Sequence, residues 1–131
     1  MHILVIDDEY LVRYTLARVL RNDGYDVVTA ADGQRGMVAF RESAPDIVIT
    51  DIIMPEQDGI ATIRQMRRER PQIKILAISG EVGIGNFDVL EIARKLGADD
   101  VIGKPFDAAA LLACLRAMQA APPREDGGVA A

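Results

Sequence analysis

The segment Asp46-Ile47-Val48-Ile49-Thr50-Asp51-Ile52-Ile53-Met54-Pro55 decides how the chain folds. Ile47, Val48 and Ile49 are β-branched and apolar, the run is too short for a helix, and Pro45 and Pro55 fence it. That pattern predicts a strand buried on both faces, as in a parallel sheet. Asp51 stands at its C-terminal end. Open α/β sheets bind ligands at that edge, so this carboxylate is a candidate site residue as well as a candidate loop cap.

The same pattern repeats on either side. Residues 3–6 predict a first apolar strand, ending abruptly in Asp7-Asp8-Glu9. A helix follows with Val12, Leu16, Val19 and Leu20 on one face, and Asn22-Asp23-Gly24 ends it. Residues 25–30 predict a second strand, which Asp26 interrupts as an edge strand permits. Asp32-Gly33 opens a second helix to about Ser43, turning Met37 and Phe40 inward. Asp58 can cap a third, which carries Ile60, Ile63 and Met66, with Arg64, Arg67, Arg68 and Arg70 outside as a solvated face. Beyond Pro71, residues 73–78 predict a fourth strand ending at Ser79-Gly80. Glycine-spaced residues 81–86 read as a long loop, and a fourth helix over about 87–96 ends at Gly97. Val101-Ile102 centre a short fifth strand before Lys104-Pro105. Asp107 caps a last helix on which Leu111, Leu115 and Met118 share a face.

Five strands alternating with five helices predict an α/β fold with a doubly wound, five-stranded parallel sheet. In a flavodoxin-like order 2-1-3-4-5, strands one and three are neighbours. The 131 residues suffice for one domain, placed at 1–120. Residues 121–131 lack apolar periodicity and are expected to be a disordered tail. A net charge of -5 argues against a nucleic-acid surface of its own. The lone Cys114 excludes an internal disulfide, fits a reducing cytoplasm and reads as a small core residue. No apolar run approaches a membrane span, and Met1-His2 carry no targeting signature. His2 reads as incidental. Tyr10 and Tyr14 either cover the core beside helix one or belong to a docking surface.

The informative polar residues all fall at strand ends. Asp7 and Asp8 end strand one, Asp51 strand three, Ser79 strand four and Lys104 strand five, so the fold would gather them at one rim. Two carboxylates about 4 Å apart repel by roughly 4 kcal/mol at an effective dielectric near 20. One ammonium cannot balance three such anions. A hard divalent cation can, and Mg²⁺ takes oxygen ligands while keeping waters that a phosphate oxygen can replace.

Ile3-Leu4-Val5-Ile6-Asp7-Asp8-Glu9, Asp51-Ile52-Ile53-Met54-Pro55 with Asp58-Gly59, Ser79, and Lys104-Pro105-Phe106 together resemble the response-regulator receiver domains of two-component signalling. Each fragment alone is weak; four in order at the right strand ends are specific. The resemblance covers about residues 3–120 and implies a stand-alone, single-domain receiver. Asp51 would be the phosphoacceptor, taking a phosphoryl group from a phosphohistidine on a sensor histidine kinase or histidine phosphotransfer protein. Asp8 would bind Mg²⁺ directly, Asp7 mostly through water, and the backbone carbonyl of Ile53 would be a further ligand. Lys104 would pair with the phosphoryl group and the Ser79 hydroxyl would hydrogen-bond it. The Lys104-Pro105 bond would be cis. Such a domain is not a turnover enzyme: it assists its own phosphorylation and dephosphorylation, and signals to a downstream protein target.

Three departures from the family stand out. Val101 replaces the frequent aromatic three residues before the lysine, removing the usual rotating reporter of Ser79. The loop after Ser79 is long and carries Gly80, Gly83 and Gly85 without a nucleotide-binding Lys-Ser/Thr. Ile53 and Glu81 occupy positions that tune hydrolysis of the acyl phosphate. Two other readings compete: a pseudo-receiver that binds partners without phosphorylation, and a Mg²⁺-dependent phosphohydrolase. The latter places its nucleophile at strand one with a second Asp two residues on, where this chain has Glu9.

Overall fold

Among the described residues the β-branched runs become strands and the amphipathic stretches helices. The computed structural model describes residues 1–52, 59–80, 95 and 97–122. Its elements in chain order are β1 (His2–Ile6), α1 (Tyr10–Asn22), β2 (Asp26–Ala30), α2 (Gly33–Ser43), β3 (Ile47–Asp51), α3 (Gly59–Glu69), β4 (Lys74–Ser79), β5 (Asp100–Gly103) and α4 (Ala108–Ala120). The strands pair in parallel in the order β2-β1-β3-β4-β5. The expected helix over 87–96 and loop over 81–86 lie outside the described residues, Lys95 excepted, as do Asp58 and most of the expected tail. No helix among the described residues is long and apolar enough to cross a membrane.

The period-2 alternation of strand side chains sorts the core into two layers. Leu4, Ile6, Val48, Ile75 and Ala77 face Met37 and Phe40 of α2 and Ile63 and Met66 of α3. Ile3, Val5, Ile47, Ile49, Leu76 and Ile78 face Leu16 and Leu20 of α1 and Leu111, Leu115 and Met118 of α4. β3, central in the sheet, is buried along its whole length, as its unbroken apolar run requires. β2 is an edge strand, as β5 is at the other side of the sheet, and leaves Asp26 exposed.

Asp32 and Asp107 cap α2 and α4 by accepting hydrogen bonds from the amides of Arg35 (2.8 Å) and Ala110 (2.7 Å). Cys114 is half-buried against the second layer and donates to the Asp100 carboxylate at 3.2 Å. Burial, then that carboxylate, pushes its thiol up to about 12.

Two expectations fail. Arg67 is no part of a solvated face: it is 3% exposed. It lies four residues beyond Ile63, on the stripe that α3 buries, so its guanidinium must find partners inside. It donates to the carbonyls of Pro71, Ile73 and Gly97 and to the Asp99 carboxylate at 2.8 Å, clasping α3 to the segments flanking β4 and β5. Arg70 is half-buried too, its guanidinium 5.2 Å from the centre of the Phe40 ring; Arg64 and Arg68 are exposed as expected. Tyr10 and Tyr14 do not cover the core. They are exposed, stacked on each other at 6.1 Å, with Arg13 over the Tyr10 ring.

Candidate functional site

Strand register alone brings the polar ends together. Ile6 is opposite Thr50 and Asp51 opposite Ile78, so Asp7 and Asp51 leave neighbouring strands at one level. Ser79 is opposite Gly103, the residue before Lys104. The Lys104 amide donates to the Ser79 carbonyl at 2.8 Å, and the Lys104-Pro105 peptide is cis. Four of the predicted site residues thus share the carboxyl rim with Asp8; Ile53 lies outside the described residues.

The side chains converge as well. Lys104 Nζ donates to Asp7 Oδ2 at 3.1 Å and to Asp51 Oδ2 at 3.2 Å. Both carboxylates are buried, and Ser79 is fully so. Burial opposes the charge of Lys104, but Asp7 and Asp51 outweigh it and hold the ammonium above the ordinary lysine range. Burial also raises the Asp7 carboxyl above its ordinary value, against the smaller pull of the Glu9 amide and of Lys104. A single ammonium therefore leaves the pocket short of positive charge.

One ligand oxygen from each of Asp7, Asp8 and Asp51 lies within 4.8 Å of the others, with Asp8 open to solvent. A small hard dication with oxygens at about 2.1 Å separates its ligands by about 3 to 4 Å. The all-carboxylate donor set and the raised Asp7 both fit such an ion.

Two residues without an assigned role also reach the site. Glu9, quoted in the acidic run, places Oε1 3.3 Å from Lys104 Nζ. Arg13 donates to the Asp7 backbone carbonyl at 2.8 Å; its only sequence signal was its place one turn into α1. Val101 is half-buried and packs against the Leu4 layer. The close approach of α3 to the site explains Gly59: a Cβ there would overlap the backbone carbonyls of Asp51 and Ile52.

A 2-1-3-4-5 parallel sheet whose carboxyl rim gathers three aspartates and a lysine is the architecture of receiver domains. The chain belongs to that family: the response regulator receiver domain matches residues 3–116. It is 34% identical over 117 residues to the transcriptional regulatory protein CseB of Streptomyces avermitilis, covering 89% of this chain and 48% of that one. Among solved structures, the receiver domain of NtrX from Brucella abortus superposes with a TM-score of 0.81 at 33% identity, over 91% of this chain and 99% of that one. The Vibrio cholerae chemotaxis protein CheY4 gives a TM-score of 0.81 at 26% identity, over 89% and 97% of the two chains. The chain spans about half the length of the curated relatives it matches.

Proposed function

We propose that this receiver domain is an active phosphoacceptor: Asp51 takes a phosphoryl group from a phosphohistidine on a sensor kinase or histidine phosphotransfer protein. The carrying observation is Lys104 Nζ, shared between Asp7 and Asp51 at the rim where three carboxylates meet. An Asp51 oxygen forms the new O–P bond as the N–P bond breaks; the bonding pair stays on the ring nitrogen, and the phosphoimidazole, already protonated on its other nitrogen, leaves as neutral imidazole. Lys104 neutralises charge on the transferred group, and the Ser79 hydroxyl donates to one of its oxygens. Asp8 and Asp51 would hold Mg²⁺, Asp7 mostly through water, with the Ile53 carbonyl as a further ligand. When bound, the ion supplies positive charge to the phosphoryl oxygens, which is most of what phosphoryl transfer asks of a protein.

The domain acts in a reducing cytoplasm and passes its state to a protein partner by biasing a two-state equilibrium of the rim. The test is incubation with Mg²⁺ and a small acyl phosphate or a phosphorylated kinase. A stoichiometric, acid-stable and base-labile adduct at Asp51, lost in Asp51→Asn, is expected. Absence of any adduct, with Mg²⁺ bound, would favour the pseudo-receiver, and multiple turnover of an external phosphoester would favour the hydrolase.

A further inference from the structure

Glu9 sits at the N-cap of α1, where a short polar side chain normally accepts a hydrogen bond from the helix amides. It makes no such cap; α1 also has no acidic residue in its first turn. Its side chain turns instead to Lys104 at 3.3 Å, while its own amide donates to Asp7 Oδ1 at 2.9 Å. A lysine ammonium has three N–H donors, and Asp7, Asp51 and Glu9 are three acceptors at similar distance. They are unequal in one respect. The Asp7 and Asp51 side chains are 0% and 7% exposed, whereas Glu9 is 62% exposed. A screened pair yields first when a stronger anion competes.

From this geometry, and resting on the phosphoacceptor reading of Asp51, we infer that Glu9 is a resting-state counter-ion that holds Lys104 until a phosphoryl oxygen replaces it. Glu9 is then a positioning residue for the reaction. Its release has a definite destination. Glu9 and Lys104 together form one wall of a cleft of about 380 Å³ between α1 and the start of α4, lined also by Leu11, Val12, Leu16, Pro105 and Phe106. Occupancy of Asp51 would therefore put an unpaired carboxylate into a cleft that held an ion pair at rest, changing the charge of the α1 side of the domain.

Two substitutions separate contact from charge. Glu9→Gln keeps the length and loses the charge; Glu9→Asp keeps the charge and falls one methylene short of Lys104. The rate of adduct formation at Asp51 is measured by mass spectrometry with a small acyl phosphate and saturating Mg²⁺, thermal midpoints confirming that each variant is folded. Both variants should label faster than wild type by roughly two- to fivefold, the scale of a partly exposed ion pair. Any other pattern, including Glu9→Asp behaving as wild type while Glu9→Gln is faster, overturns the contact. In wild type, the Glu9 carboxyl ¹³C resonance should move on phosphorylation toward its position in Lys104→Met; a resonance that stays put also overturns it. A wild-type protein that takes no adduct at all removes the phosphoacceptor reading and the trigger with it, a failure distinct from equal rates among three labelled proteins.

Discussion

Replacing Asp7 by Asn should make the metal-free protein more stable. At an effective dielectric near 20, attraction between Asp7 and Lys104 at 3.1 Å amounts to roughly 5 kcal/mol. Repulsion from Asp51 and Asp8, whose ligand oxygens lie within 4.8 Å, amounts to roughly 3.5 kcal/mol each before the exposed Asp8 is discounted for screening. The Coulomb terms nearly cancel, and the desolvation of a fully buried carboxylate decides the sign. Asn keeps the shape and the acceptor for the Glu9 amide. A gain of about 1 to 2 kcal/mol is expected, raising the unfolding midpoint by about 3 to 8 °C.

The pH dependence gives a second handle on the same effect. The folded-state carboxyl of Asp7 is raised, chiefly by burial. Such a group favours folding fully below its unfolded value near 3.9, and that contribution is lost as pH climbs through the folded value. The advantage of Asp7→Asn should therefore be small near pH 4 and grow toward pH 7. Thermal unfolding followed by circular dichroism in a chelator, across that range, measures both. Added Mg²⁺ should then stabilise wild type more than the variant. An Asn variant that melts below wild type at neutral pH, or a difference that does not change with pH, would refute the reasoning.

Arg67→Ala should cost about 3 to 5 kcal/mol in urea unfolding, because it removes the buried guanidinium that serves the Asp99 carboxylate and several carbonyls; a loss under about 1 kcal/mol would show that water replaces the clasp. Gly59→Ala should lower both stability, by about 2 kcal/mol, and adduct yield at Asp51, since its methyl would collide with the carbonyls that end β3. Gly80→Ala is the matched control: among the described residues its methyl meets only the Lys104 stem at 3.7 Å, and stability should stay within about 0.5 kcal/mol. Ile53→Asn should hasten loss of the phosphoryl group by orienting the attacking water, read as adduct lifetime; no acceleration would remove Ile53 from the account.

What the sequence revealed and what it hid have one physical origin. The strands were legible because a buried parallel strand must be apolar throughout, so Ile3–Ile6 and Ile47–Ile49 advertise themselves and the first polar residue marks the rim. Asp7, Asp51, Ser79 and Lys104 could be placed at the rim for that reason. Arg67 was hidden because its charge outweighed its position, although its spacing from Ile63 placed it on the buried stripe. Tyr10 and Tyr14 misled in the opposite sense, since aromatic bulk suggests burial and stacking on one another satisfies them at the surface. Glu9 was visible as a letter, but its bond to Lys104 spans 95 positions and depends on β1 and β5 reaching the same rim.

The stacked pair on α1 has a use of its own. The chain has no tryptophan and only three tyrosines, so phenol emission is not drained by a stronger acceptor. One of those three rings, Tyr10, lies under the guanidinium of Arg13, which also donates to the Asp7 carbonyl, and a second, Tyr14, stacks on Tyr10. The protein thus carries a built-in optical gauge beside its acidic pocket, readable without any attached dye.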